Sequence, residues 1–163
     1  MNMKITLVLE NLRSCHNVGS ILRSADGFGV DSVVFVGTTP YPQLLNDSRL
    51  PHIRRKQTAA IAKTALGAET HSHKYTYIQD IDHLLKQLTN TPLYALEQSA
   101  TSTSLREFLV DATHITLVVG NEVDGVSDEV LRCSEHLEIP MHGKKESFNV
   151  AVATAIALYQ IRQ

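Results

Sequence analysis

A chain of 163 residues with 43% hydrophobic and 20% charged content is long enough to bury a core as one domain, residues 1–163, without metals or disulfides. Its formal net charge of −2 excludes a generally basic nucleic-acid binder, so any RNA contact must come from local patches or from patches joined across subunits. Cys15 and Cys133 cannot make a disulfide framework, no apolar run is long enough for a membrane span, and the N-terminus has no signal-peptide pattern; a cytoplasmic protein is expected.

Residues 4–9 are predicted as a short buried strand, followed by a helix over 16–28 with Ile21, Leu22, Ala25 and Phe28 on one face. The run Ser-Val-Val-Phe-Val at 32–36 is β-branched and continuous, as expected for a strand covered on both faces. Pro40, Pro42 and Pro51 predict a long loop over 37–57, and a helix over 58–66 is closed by Gly67. Further strands are expected at 74–78, 92–97, 114–120 and 137–141, with helices at 81–88, 128–134 and 149–162. The last helix is apolar on nearly every face and so is expected to be buried. Alternating strands and helices predict an α/β fold with a mainly parallel sheet flanked by helices.

Three segments share one plan of buried strand, polar loop and helix. They are Val8–Asn11 leading to His16–Arg23, Val118–Gly125, and Ile139–Ala151. Polar groups between buried elements are costly unless they bind something, so three such loops suggest one shared site. Gly120 and Gly143 could let the backbone approach a ligand closely or take positive φ. Arg23 could grip phosphate or carboxylate through two parallel hydrogen bonds, and its bland alternative is a surface ion pair with Asp26 or Glu122. Asn17 falls at an expected helix N-cap, Ser147 and Asn149 suit the cap of the last helix, and Glu122 is a carboxylate at a strand end. Arg49, His52, Arg54, Arg55 and Lys56 form the dense basic cluster, with Lys144 and Lys145 in the third loop; these suit phosphate contacts. Tyr41 nearby could stack on a base. His71 and His73 lack the partners of a metal site, and Cys15-His16 lacks the third group of a thiol nucleophile, so no metal is expected.

The ordered stretches HNVGSILRSA, VVGNEVDGV and IPMHGKKESFNVAVA resemble the three signature motifs of the SpoU branch of the SPOUT RNA methyltransferases, and the resemblance runs over about residues 7–159. It implies methyl transfer from S-adenosylmethionine to a ribose 2′-oxygen, a C-terminal trefoil knot and an obligate homodimer. It also implies a cofactor lined by Leu96, Gly120, Ile139, Ser147, Phe148 and Asn149. Arg23, Asn17, Glu122, Ser147 and Asn149 then stand at the catalytic positions, and Arg49, Arg54, Arg55, Lys56 and Lys144 are the expected RNA contacts. Transfer RNA is the preferred substrate. Ribosomal RNA, or RNA binding without catalysis on the same fold, is the alternative. With no N-terminal extension of the kind that presents RNA in larger relatives, recognition is expected to use the domain's own loops and a second subunit.

Overall fold

The computed structural model describes residues 3–88 and 90–163. The elements run β1 (Lys4–Glu10), α1 (Cys15–Gly27), β2 (Ser32–Val36), α2 (Pro51–Ala65), β3 (Tyr75–Ile78), α3 (Ile81–Gln87), β4 (Leu93–Leu96), β5 (Thr103–Ser104), β6 (His114–Val119), α4 (Asp128–Leu131), β7 (Glu135–Glu138) and α5 (Val150–Ile161). All the strand pairs are parallel and the sheet order is β3-β2-β1-β6-β4-β7-β5. The expected α/β architecture is present, and its central strands are buried throughout because helices cover both faces. Strand period puts Leu7, Leu9 and Phe35 in one core with Ile21, Leu22 and Leu158, while Val8, Val34 and Val118 pack with Leu84 and Val130 in the other.

Strands β1, β2 and β3 are laid down outward in one direction; the chain then crosses to β4 in the other half, and β6 later fills the place between β1 and β4. Parallel α/β sheets bind ligands outside the carboxyl ends of their strands near such reversals. The three polar loops leave the carboxyl ends of β1, β6 and β7, so topology gathers them at one end of the sheet. Arg162 fastens the far end of α5: its guanidinium donates to the carbonyls of Met3, Phe28 and Gly29.

Several boundaries differ from expectation. The loop predicted over 37–57 ends at residue 50, because Pro51 starts α2 at a position where a missing N–H costs nothing and the fixed φ suits a helix. The basic cluster from His52 to Lys56 therefore rides on the first turns of a helix. Strand β7 stops at Glu138 rather than 141; it is an interior strand between β4 and β5, and Pro140 has no N–H to give a ladder. The two-residue β5 carries no periodic signal and was not expected. Helix α5 is not buried all round: Val152, Ile156 and Tyr159, spaced four and three apart, are 48%, 38% and 57% exposed on one face.

Candidate functional site

The turn after β6 is the most heavily bonded part of the site. Asn121 and Gly125 exchange backbone hydrogen bonds of 2.9 and 3.0 Å, and Asn121 Oδ1 accepts from the amides of Val123 (2.8 Å) and Asp124 (3.1 Å). Gly125 has φ +73°, a conformation that side-chained residues resist. A Cβ on Gly120 would collide with the Gly125 backbone, so Gly120 is demanded by the turn itself. Two strand-end carboxylates hold the exit of the turn. Glu97, just past β4, accepts from Val126 N–H at 3.0 Å, and the buried Glu10, ending β1, accepts from Ser127 N–H at 3.0 Å. Strands β1 and β4 flank β6, so the turn is pinned from both sides.

From that turn Glu122 reaches the start of α1. Its carboxylate accepts the amides of Arg13 (3.0 Å) and Ser14 (3.3 Å) and the side-chain amide of Asn17 (2.9 Å). Asn17 Oδ1 in turn accepts from Asn149 Nδ2 at 3.1 Å. Asn149 also caps α5, its Oδ1 accepting from Ala151 N–H at 2.9 Å and Val152 N–H at 3.4 Å. One residue from each loop thus joins a continuous chain, Glu122–Asn17–Asn149. The first and second loops are further tied by Asn121 Nδ2 donating to the Asn11 carbonyl at 2.7 Å. Burial pushes the Glu122 carboxyl up, but the bonds from Asn17, Arg13 and Ser14 outweigh it and hold the group below its ordinary value.

Beside this chain lies a cavity of about 520 Å³ at the carboxyl ends of β6, β4 and β7. Its wall includes Leu96, Gly120, Ile139, Ser147, Phe148 and Asn149, the six residues expected to line a cofactor. Leu96, Leu137, Ile139, Phe148 and Ala153 supply an apolar part, and Glu97, Glu122, Asp124, Glu138 and Glu146 supply carboxylates. Among the described residues no lysine, arginine or histidine lines it. That field favours a cation and disfavours phosphate.

Other expectations fare differently. Asn17 is not the N-cap of α1 but lies within its first turn; the cap is Ser14, whose Oγ accepts from Asn17 N–H at 3.2 Å. Gly143 has open space where a Cβ would stand and needs no special backbone, so it is a plain turn glycine. Ser147 is exposed on the cavity wall. Arg23 is exposed on α1 and does not line the cavity; it pairs with neither Asp26 nor Glu122 among the described residues. Asp26 instead meets His71 at 3.0 Å, and Glu122 is taken by its amides.

The basic cluster divides. Arg49 does not offer its charge outward: it pairs with Asp47, donates to Gln57 and to the carbonyls of Tyr41 and Pro42, and stands 3.4 Å over the Tyr41 ring. The hydrogen bond from Arg49 holds the Asp47 carboxyl below its usual range. Tyr41 is buried under that guanidinium and stacked on Tyr77 at 4.5 Å, so it has no free face for a base. Arg55, Lys56 and Lys144 are exposed, and Arg54 is half-buried with an unpartnered Nε. Helix α2 has no side-chain N-cap and no acid in its first turn, so its positive end adds to these charges. Helix α2 packs against α1, with Thr64 Oγ1 donating to the His16 carbonyl at 2.8 Å, which sets this helix beside the first loop. Burial pushes the Cys15 thiol up, which keeps it protonated at neutral pH and unsuited to nucleophilic work.

The sequence reading missed Glu97 and Glu10. Glu10 ends β1 and Glu97 directly follows β4, the same signal that singled out Glu122; Glu97 stood outside the three segments, and Glu10 lay inside the first of them without being singled out.

A parallel α/β domain with an acid-lined cavity at its strand ends and three interlocked polar loops is what the geometry defines. The SpoU rRNA Methylase family model matches residues 4–159, and the chain belongs to that family. A tRNA (guanosine(18)-2′-O)-methyltransferase of Aquifex aeolicus is 32% identical over 161 residues, covering 94% of this chain and 66% of the relative. A Staphylococcus epidermidis protein named for the TrmH family of tRNA/rRNA methyltransferases is 28% identical, with 95% and 57% covered. The chain thus spans roughly three fifths of the length of these relatives. Among solved structures, an AdoMet-bound rRNA methyltransferase from Sinorhizobium meliloti superposes with a TM-score of 0.80 at 22% identity, covering 99% of this chain and 57% of that one; at that identity the likeness bears on the fold. A structure described as giving insight into 2-OH methylation of C/U34 on tRNA aligns with a TM-score of 0.73 at 26% identity, with 99% and 95% covered.

Proposed function

We propose that this chain is an S-adenosylmethionine-dependent RNA methyltransferase acting on a ribose 2′-hydroxyl, with transfer RNA as its substrate. The observation that carries the reading is the Glu122–Asn17–Asn149 chain, which ties the three motif loops together at the edge of the cavity. The cofactor fits the residues present: the volume suits a nucleoside, the apolar part suits an adenine, and the carboxylates suit a sulfonium and an ammonium. The curated Aquifex relative is named for tRNA ribose methylation, which supports the substrate class.

When bound, S-adenosylmethionine supplies a methyl carbon activated by the sulfonium. Arg23 grips the phosphate beside the target ribose and stabilises the developing alkoxide, while the phosphate or a water takes the proton; guanidinium itself does not act as the base. Asn17, Glu122, Ser147 and Asn149 orient the target nucleotide and cofactor; for Asn17, Glu122 and Asn149 the task costs little at the moment of reaction because their mutual bonds exist beforehand. Arg54, Arg55 and Lys56 on α2, with Lys144, hold RNA phosphates. The exposed stripe Val152, Ile156 and Tyr159 supports a homodimer through α5. The trefoil knot, a single domain over 1–163, independence from metal and a cytoplasmic location belong to the same proposal. Among the described residues no helix is long and apolar enough to cross a membrane.

The test joins calorimetry to product analysis. S-adenosylhomocysteine should bind, and product RNA should resist alkaline cleavage at the modified link. Arg23→Ala should lose on the order of 10²–10³ in turnover, as for one transition-state donor, while nucleoside affinity survives. Normal turnover in that variant would refute the role of Arg23, and alkali-labile methylated product would refute ribose as the acceptor.

A further inference from the structure

We propose that the Glu97 carboxylate is the acceptor for the ribose diol of the nucleoside cofactor, an assignment that rests on the cofactor reading above. The other acids of the cavity are engaged by side-chain donors or stand exposed on loops, whereas among the described residues Glu97 has backbone donors only. Glu122 is taken by two amides and Asn17, and Glu138 accepts from the Ser102 hydroxyl at 2.7 Å. Asp124 and Glu146 stand exposed on loops. Glu97 is half-buried at the end of β4, which lies between β6 and β7, so it occupies the middle of the strand ends that floor the cavity.

Its orientation is set before any ligand arrives. Glu97 Oε2 accepts from Val126 N–H at 3.0 Å, Oε1 from Gln98 N–H at 3.2 Å, and the carboxylate fills the space beside the Gly125 Cα. An ionised carboxylate offers about four lone-pair sites, and these two amides use two. Among the described residues no side-chain donor takes the rest. A cis-diol presents two O–H donors to a single anion, the same match by which strand-end carboxylates hold ribose in dinucleotide folds. Leu96, the preceding residue, belongs to the apolar part suited to the base, so the next group outward along a nucleoside is its sugar. The ammonium of the methionine moiety is the competing donor, and the experiment separates the two.

Affinities of the full chain and of Glu97→Gln would be measured by calorimetry for S-adenosylhomocysteine and its 2′,3′-dideoxy analogue, with Glu97→Ala as a second variant. The wild type should bind the dideoxy analogue about tenfold more weakly or worse, the size of a hydrogen bond to a charged group. In both variants the parent nucleoside should weaken by a similar factor, and the two ligands should bind within about twofold of each other. If loss of the Val126 anchor merely loosens the site, or if Glu97 holds the ammonium, both ligands weaken together and the wild-type ratio persists; that result overturns the assignment alone. Failure of the wild type to bind either nucleoside would overturn the cofactor reading and this assignment with it.

Discussion

The turn after β6 and the loop after β7 both line the cavity, on either side of β4, and they are built in opposite ways. In the first, residues 121–127 are closed by a backbone bridge, tied to the first loop through Asn121 and Glu122, and pinned by Glu10 and Glu97. In the second, residues 142–149 are exposed, and among the described residues only Asn149 anchors it by hydrogen bonds. One wall is set in advance and the other has little to hold it until something occupies the cavity. A preset wall fixes geometry at no cost on binding, whereas an uncommitted one must be ordered by the ligand and trades affinity for access.

The contrast can be broken most directly at its two glycines. Gly120→Ala sets a methyl group against backbone that cannot move, and should cost about 2–3 kcal/mol as overpacking does. Scanning calorimetry should show Tm falling by roughly 5–10 °C. Gly143→Ala meets open space and should stay within about 0.5 kcal/mol. Equal effects at the two positions would erase the distinction between the walls. Asn149→Ala comes next: losing the cap should cost about 1 kcal/mol in a urea titration, and losing the bond to Asn17 should weaken nucleoside binding. Unchanged binding by calorimetry would count against its place in the site.

Acid should act on the first wall through Glu122. Because Glu122 is held below its ordinary value in the folded chain, its contribution is full above the usual glutamate range, about pH 4.3, and ebbs as pH falls through the depressed value. The stability gap between wild type and Glu122→Gln should be at most about 1 kcal/mol at pH 7, since the group is open to screening, and should close toward pH 3. A gap that widens in acid would mean that the folded chain raises the Glu122 carboxyl instead of lowering it. The smallest signal is in hydrogen exchange. Saturating S-adenosylhomocysteine should slow the amides of 142–148 and leave 121–126 nearly unchanged. Slowing confined to 121–126 would invert the comparison.

Much of this was legible in local pattern. The continuous β-branched run at 32–36 announced a buried parallel strand, and of the six expected cavity residues Gly120, Ile139, Ser147, Phe148 and Asn149 lie in the second and third motifs, while Leu96 came from the family resemblance alone. Asn149 as a cap needed only its place before an apolar helix. What escaped depended on partners far off in the chain. Pro51 read as a loop residue because a proline alone does not say whether it starts a helix or prevents one. Arg49 and Arg55 look alike in sequence, and only the fold turns one onto Asp47 and Tyr41 and leaves the other in water.

Residue order by itself determined the alternation of strands and helices, the faces they bury and the three polar loops, because period and side-chain volume act over a few residues. Tertiary structure alone decided that Glu122, Asn17 and Asn149, separated by up to 132 positions, share one hydrogen-bonded line, and that Glu10 and Glu97 brace the turn from neighbouring strands. The physical reason is strand order: which ends lie side by side is settled by how crossover connections lay down the sheet, and no window of sequence carries that information.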